Sequence, residues 1–203
     1  MSELAIMRIG QYLVDSLDRG IIYKVDKTKG LEVYVDADFA GSWSVADSEN
    51  ADNVLSPTGF VLCYTNCPIV WCSKLQTEIT LSTAEAEYIA LSHALREAIP
   101  IQSLCKEIDC IFSMHIPSPD FCLTVHEDNL SAIAMAESIK FTPRTKHIAI
   151  KYHHFRSRVQ CSYNPKGDIC LKYINTKKKL TDIFTKLLDD TTFFALRQSL
   201  CGW

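Results

Sequence analysis

The chain lacks the features of a membrane or secreted protein. No apolar run approaches the ~20 residues that a membrane-spanning helix needs. The opening residues, MSELAIMRIGQYL, show no basic region followed by an apolar core and a small-residue cleavage site. We therefore expect an intracellular protein with no membrane association.

Paired cysteines are also missing, although cysteine itself is abundant. None of the nine cysteines belongs to a C-x-x-C pair, and several lie in apolar runs such as 61–64 and 121–125. A thiol in such a run packs as a small hydrophobic group. We expect reduced thiols in a reducing compartment rather than zinc ligands or disulfides.

An excess of positive charge is absent as well. The net charge is −3, so any binding of nucleic acid must come from local basic patches. The composition, 47% hydrophobic and 22% charged, is that of a globular protein, and 203 residues suffice for one core with an appendage.

Hydrophobic periodicity predicts an α/β fold. Three strands come first, and strands then alternate with helices, which favours a mixed sheet with an antiparallel part and a parallel part. Pro100 is expected to break or kink its helix. The predicted strands are 31–35, 59–64, 69–73, 121–127 and 169–174, and the predicted helices are 4–17, 83–108, 129–137, 147–160, 180–188 and 191–200.

Two aspartates stand at the ends of predicted strands. Asp36 ends the first strand and Asp128 follows the fourth. Strand ends of this kind meet at one sheet edge, where two carboxylates repel each other unless a cation lies between them. Each could instead cap a helix or turn.

Two glutamates near the start of the long helix differ in their setting. Ser82 and Glu85 fit a capping box, and Glu85 is expected to be solvated. Glu87 shares a face with small apolar residues and should point toward the sheet, where it needs metal or a basic partner. Asp182 opens a later helix, either as a ligand or as a charge favourable to the helix dipole.

These four acids together form an oxygen-rich set. Such ligands suit magnesium or manganese. Two ions about 4 Å apart can activate water and stabilise the leaving oxygen of a phosphodiester. The candidate catalytic and metal-binding residues are therefore Asp36, Glu87, Asp128 and Asp182.

Seven stretches, in order, make the chain resemble the ribonuclease H region of the Pol polyprotein of copia-type LTR retrotransposons, C-terminal to the reverse transcriptase. They are VDADFAG (35–41), SPTGFVLCY (56–64), PIVWCSKLQ (68–76), LSTAEAEYIALSHA (81–94), HEDNLSAIA (126–134), RTKHIAIKYHHFR (144–156) and LTDIFTK (180–186).

The resemblance implies an RNase H-like fold, a five-stranded mixed sheet flanked by helices, over 31–203. Residues 1–30 would be a helical connecting segment from the polymerase side. The implied cofactor is two Mg²⁺ ions, for which Mn²⁺ can substitute, and the implied partners are an RNA–DNA hybrid and the reverse transcriptase of the same polyprotein. The location would be the cytoplasm, within a virus-like particle, or the nucleus.

The family places its metal-binding acids at the same four positions, with Asp38 as an alternative to Asp36. One departure is the run 177–179, three lysines where relatives usually carry acidic or neutral residues. Hybrid contacts are expected from Arg144, Lys146, Lys151, Arg156, Arg158, Ser73, Lys74 and Gln76, and a proton shuttle from His147, His153 or His154.

Three other functions remain to be weighed. An inactive RNase H-like domain could bind nucleic acid or protein without cutting. A polymerase is disfavoured because Asp36 and Asp38 are not adjacent, and an integrase because its acids would follow the order Asp, Asp, Glu.

Overall fold

A computed structural model of the chain describes residues 3–41, 43, 51–112, 121–138, 148, 150–176 and 179–203. The strands are β1 (Leu31–Ala37), β2 (Pro57–Tyr64), β3 (Cys67–Leu75), β4 (Leu123–Glu127) and β5 (Ile169–Tyr173). The helices are α1 (Glu3–Asp15), α2 (Thr83–Phe112), α3 (Leu130–Glu137), α4 (Asp182–Thr185) and α5 (Asp190–Cys201).

One five-stranded mixed sheet organises the chain. The strand order is β3-β2-β1-β4-β5. The pairs β1–β2 and β2–β3 are antiparallel, whereas β1–β4 and β4–β5 are parallel. The predicted α/β fold with a five-stranded mixed sheet is confirmed. The parallel strands β1, β4 and β5 end at the same edge, which is where the predicted acids lie.

Helix α2 covers one face of this sheet. Its buried residues Ala90, Leu91, Ala94 and Ala98 are at most 1% exposed and join the main core with strand residues such as Val125. The helix continues through Pro100 to Phe112 without the break that was expected. Burial on both sides of the proline, at Ala98 and Gln102, favours the continuous helix over the intrinsic preference of proline.

Two predicted helices are wrong in type or length. In the predicted helix 147–160, the described residues 150–160 form short 3-10 turns at Ile150–His153 and Arg156–Arg158 instead of an α-helix. Histidine and aromatic residues, which are weak helix formers, fill its middle, and Tyr152 and Phe155 are buried in the core. The predicted helix at 180–188 is a single turn, α4, and Leu187 after it is fully exposed.

The first thirty residues contact the end of the chain. Helix α1 has no buried residue, and its Tyr12 ring packs edge-on against Phe193 of α5 at 5.9 Å. The Trp203 indole donates to the Gly20 carbonyl at 2.8 Å. None of the helices in the described ranges is long and apolar enough to cross a bilayer. The nine cysteines are free thiols.

A charged cluster closes the opposite edge of the parallel strands. Arg158 donates to Asp168 through Nε at 3.0 Å and Nη2 at 2.6 Å, and Lys106 Nζ lies 2.8 Å from the same carboxylate. Asp168 directly precedes β5, and its carbonyl accepts from Leu123 at the start of β4. The hydrogen bonds from Arg158, with Lys106, hold the pKa of Asp168 at about 2, below its ordinary value.

Asp168→Asn is expected to lower the free energy of unfolding by about 1–2 kcal/mol at pH 7, after allowance for the partial exposure of this pair. Because the pKa is depressed in the folded state, this stabilisation is present above the ordinary value and is lost as the pH falls toward 2. Urea unfolding at pH 7, 4 and 3 should show that the difference in free energy of unfolding between Asp168→Asn and wild type becomes smaller as the pH falls. A difference that stays constant with pH would contradict this assignment.

Candidate metal centre

Three of the four predicted acids meet at the carboxyl edge of the parallel strands. Carboxylate oxygens of Asp36, Glu87 and Asp128 all lie within 4.8 Å of one another. Asp36 is fully buried, and the Asp128 side chain is 11% exposed. Each acid comes from a different element, so the cluster is created by the tertiary fold.

Local structure fixes the position of each acid. Asp36 lies in β1, whose pairing on both sides holds the backbone. Asp128 follows β4 but does not cap α3, because the Asn129 side chain accepts from the amides of Ser131 and Ala132. Glu87 lies on the buried face of α2, 4% exposed. The capping alternative for Asp128 is therefore not needed to explain this residue.

Glu85 differs from its neighbour Glu87 as expected, but it is not solvated. Its Oε2 accepts from the Leu81 amide at 2.8 Å, and its own amide donates to Ser82 Oγ at 3.2 Å. The residue is 7% exposed. The capping interaction is present, and the packing of the α2 N-terminus shields it from water.

Two lysines neutralise part of the acidic charge. Lys179 Nζ lies 2.7 Å from Asp36 Oδ1 and 3.4 Å from Glu87 Oε1, and it also pairs with Asp128. Lys186 Nζ lies 3.2 Å from Asp36 Oδ1 and 2.9 Å from Asp182 Oδ1. Asp182 thus reaches Asp36 through Lys186 and lies outside the three-carboxylate cluster.

Neither lysine is among the site residues predicted from the sequence. Lys186 had a usable signal, because it follows Asp182 by four positions on a helix. Thr185 Oγ1, also overlooked, donates to Asp36 from the same turn. Helix α4 and its C-cap residue Lys186 therefore supply three side chains to the site.

The two central carboxylates respond differently to burial. Burial alone would raise the pKa of Asp36, but Lys179 and Lys186 bring it below its ordinary value. Burial and the neighbouring Glu127 raise the pKa of Glu87, which Lys179 offsets only in part. Asp36 therefore carries most of the negative charge that balances the two lysines, whereas burial favours the neutral form of Glu87.

Glu127 is a further buried acid that the sequence analysis missed. It is 0% exposed, and burial raises its pKa despite Lys179 and the Asn129 amide, which donates to Oε1 at 2.9 Å. Its position could have been found, because Leu123, Val125 and Glu127 alternate on the buried face of β4.

Beside the cluster lies an open cleft of about 380 Å³, whose walls include Glu87, Asp128, Lys186 and Asp38. Asp38 follows β1 and is partly exposed. Of the two aspartates of the first motif, Asp36 belongs to the cluster, whereas Asp38 lines the approach to it.

A glycine lets α4 approach the sheet. Gly59 pairs with Asp36 in the β1–β2 register. A Cβ at this position would lie 2.7 Å from Phe184 Cβ and 2.8 Å from Thr185 Cγ2. Only a residue without a side chain leaves room for the helix that carries Asp182 and Lys186.

Gly59→Val is expected to cost about 1–3 kcal/mol of stability by overpacking and to displace α4 from Asp36. Urea unfolding would measure the first effect and Mn²⁺ affinity the second. Gly10→Val is the matched control, because it introduces the same side chain where nothing lies within 4 Å of a Cβ. Unchanged stability and metal affinity in Gly59→Val would show that a side chain at position 59 fits beside α4, which would contradict this role for the glycine.

The described members of the predicted nucleic-acid set differ in their positions and partners. Arg144 and Lys146 lie outside the described residues. Lys151 is exposed and pairs with Glu78 at 2.5 Å, and Arg156 is partly buried. Arg158 is engaged by Asp168 at the opposite edge of the sheet, a pairing that could not be predicted because it is created by the tertiary fold.

The three predicted contacts from β3 and its end differ in exposure. Lys74 is exposed, and Ser73 Oγ donates to the Phe184 carbonyl at 2.6 Å. Gln76 is 1% exposed and donates to Thr58 Oγ1 and the Ala86 carbonyl, both at 2.8 Å. Gln76 thus joins β3 to β2 and α2 inside the protein.

The two described candidate proton-shuttle histidines, His153 and His154, contact helix α2. His153 Nδ1 lies 2.7 Å from Tyr88 Oη, and His154 Nδ1 lies 3.4 Å from Ser92 Oγ. Burial lowers the pKa of both. His147 lies outside the described residues.

The donor chemistry of the cluster fits a hard divalent cation. All three groups offer carboxylate oxygens, the ligands that Mg²⁺ and Mn²⁺ prefer. Within the described part of the chain, the buried Oε2 of Glu87 has no hydrogen-bond partner. The residues therefore fit a metal, with the ammonium of Lys179 as a competitor for the same oxygens.

No protein-family model matches the chain, but curated sequences do. The retrovirus-related Pol polyprotein from transposon RE2 of Arabidopsis thaliana is 32% identical over 189 residues, which is 93% of this chain and 12% of that polyprotein. The Pol polyprotein from transposon TNT 1-94 of Nicotiana tabacum is 32% identical over 165 residues, 80% of this chain and 11% of that polyprotein. The chain thus spans a small part of these relatives.

A solved structure is also similar, though weakly. The N-terminal RNase H domain of rv2228c from Mycobacterium tuberculosis has a TM-score of 0.47 and 11% identity, covering 84% of this chain and 97% of that one. The architecture described above rests on the strand order and pairing of this chain itself.

Proposed function

This chain belongs to the family of retrovirus-related Pol polyproteins from copia-type transposons, and we propose that it is a ribonuclease H domain. Its reaction is the metal-dependent endonucleolytic cleavage of the RNA strand of RNA–DNA hybrids during reverse transcription. The reverse transcriptase of the same polyprotein is its partner, in an intracellular setting.

The observation that carries the proposal is the meeting of Asp36, Glu87 and Asp128 within 4.8 Å at the sheet edge. Two divalent ions held there would activate water and stabilise the leaving oxygen of an in-line displacement. Asp36 is the central ligand, oriented by Thr185, and Asp182 completes the set from α4. The cleft beside the cluster gives a phosphate room to approach.

Substrate binding in this proposal depends on shape. A hybrid is recognised by its groove and 2′-hydroxyls, so binding should tolerate different base sequences. The exposed Lys74 and Lys151, with Arg144, Lys146 and Arg156, are the proposed phosphate contacts. Arg158 and Gln76 have structural partners and are assigned to the fold instead.

The test is cleavage of a labelled hybrid by the purified chain with Mg²⁺ or Mn²⁺. We expect cuts in the RNA strand alone, none with EDTA, and none in single-stranded RNA or duplex DNA of the same sequence. If the hybrid stays intact under conditions where the chain binds Mn²⁺, the proposed nuclease activity is wrong.

A second candidate is a domain that binds hybrids without cutting them. The observation that favours it is Lys179, whose ammonium contacts all three carboxylates. Hybrid binding that is independent of divalent metal, without cleavage, would support this candidate.

A further inference from the structure

Lys179 occupies an unusual position for a lysine. Its side chain is 0% exposed, and its ammonium contacts Asp36, Glu87 and Asp128 together. A buried lysine loses both hydration and rotamer freedom, so its position requires strong counter-charges. The three carboxylates supply them.

The backbone around Lys179 holds the side chain in place. The Ile174 amide donates to the Glu127 carbonyl at 3.0 Å, and Thr176 Oγ1 donates to Asp128 Oδ2 at 2.8 Å. The Lys179 amide then closes a turn onto the Thr176 carbonyl at 3.1 Å. The segment between β5 and α4 is thus tied to the same strand end that presents Asp128.

The Lys186 side chain, unlike that of Lys179, is partly exposed to solvent. Its side chain is 31% exposed and lies between Asp36 and Asp182 at the rim of the cleft. It can turn toward solvent without a change in the backbone. Lys179 has no such route while its backbone stays in place, because its side chain is fully enclosed, so its ammonium can withdraw only if its own backbone shifts.

We infer that Lys179 is a built-in counter-ion that competes with divalent cations for Asp36, Glu87 and Asp128, so that metal binds only when its ammonium withdraws. This inference rests on the proposed function, since it assumes that these carboxylates hold the metal. A divalent ion needs oxygens at about 2.0–2.2 Å, and an ammonium among the same oxygens excludes it. Lys179 therefore sets the metal affinity of the site.

The test is Mn²⁺ binding to the full chain, measured by calorimetry on wild type, Lys179→Gln and Lys166→Gln. Removal of a positive charge from the cluster should tighten binding by about tenfold or more. Lys166 is exposed and lies two residues before Asp168, at the opposite edge of the parallel strands, so Lys166→Gln also removes one positive charge but should bind Mn²⁺ as wild type does. Lys179→Gln binding no tighter than wild type, or no binding by any variant, would overturn the inference.

A measurement on the unmodified protein covers the case in which Lys179→Gln does not fold. Acylation of lysine amines, read by mass spectrometry, should leave Lys179 protected without metal and modify it at saturating Mn²⁺. Lys179 that stays protected when Mn²⁺ is bound would also overturn the inference.

The nuclease and the counter-ion fail in different ways. Tighter Mn²⁺ binding by Lys179→Gln without hybrid cleavage would support the counter-ion and reject the nuclease. Hybrid cleavage by wild type, together with equal Mn²⁺ affinity in wild type and Lys179→Gln, would support the nuclease and reject the counter-ion.

Discussion

Glu87→Gln is expected to reduce hybrid cleavage by roughly a thousandfold while leaving the fold at least as stable as wild type. The loss of activity follows from the loss of one carboxylate of the three-acid cluster. The stability follows from the raised pKa of Glu87, because burial favours the neutral carboxyl group and glutamine is a neutral group of the same size. Cleavage rates and thermal melting in EDTA would measure the two effects.

Glu85→Gln is the matched control, with the same chemical change two residues away. Glutamine can replace glutamate in a capping box, so we expect activity within about fivefold of wild type and little change in melting. Equal inactivation of the two variants would mean that the start of α2, rather than the carboxylate of Glu87, is what activity needs. A large fall in the melting temperature of Glu87→Gln would show that its pairing with Lys179 stabilises the fold.

The acids of the site were predictable because their signals are local. Asp36 and Asp128 terminate strands whose apolar runs are visible in the sequence, and Glu87 shares the period of Ala90, Leu91 and Ala94. Parallel strands then bring their carboxyl ends to one edge. Periodicity and topology together were sufficient to group three of the four acids.

The basic partners were not predictable in the same way. Lys179 is separated from Asp128 by 51 positions and from Glu87 by 92, and it lies in neither a helix nor a strand. No period relates such residues. Arg158 and Gln76 show the same limit, since an Arg or Gln in a polar stretch gives no indication of whether the fold will use it inside or leave it to a ligand.

The secondary structure was predictable where packing and propensity agree. All five strands and helices α1, α2, α3 and α5 appear close to their expected positions. Disagreement occurs at Pro100, where burial of the long helix prevails, and at 150–158, where short turns place Tyr152 and Phe155 in the core. In both places tertiary contacts decided the local conformation.

Asp36→Asn is expected to abolish cleavage to a similar extent, roughly a thousandfold, but with the opposite effect on stability. Lys179 and Lys186 hold the pKa of Asp36 below its ordinary value against the effect of burial. Its charge therefore stabilises the fold above that ordinary pKa, and the stabilisation is lost as the pH falls. Loss of this partner leaves Lys179 poorly compensated, at a cost of about 3–5 kcal/mol.

Urea unfolding in EDTA at pH 7 should therefore rank Asp36→Asn well below wild type and Glu87→Gln at or above it. Asp38→Asn is the control for the neighbouring aspartate, which lines the cleft outside the cluster, and should lose less than about tenfold in activity. If Asp38→Asn were the inactive variant, the first ligand would be the second aspartate of the motif. If Asp36→Asn were as stable as wild type, Lys179 would not need the charge of Asp36 to remain buried. The proposed contrast, in which the charge of Asp36 stabilises the fold and that of Glu87 does not, would then be wrong.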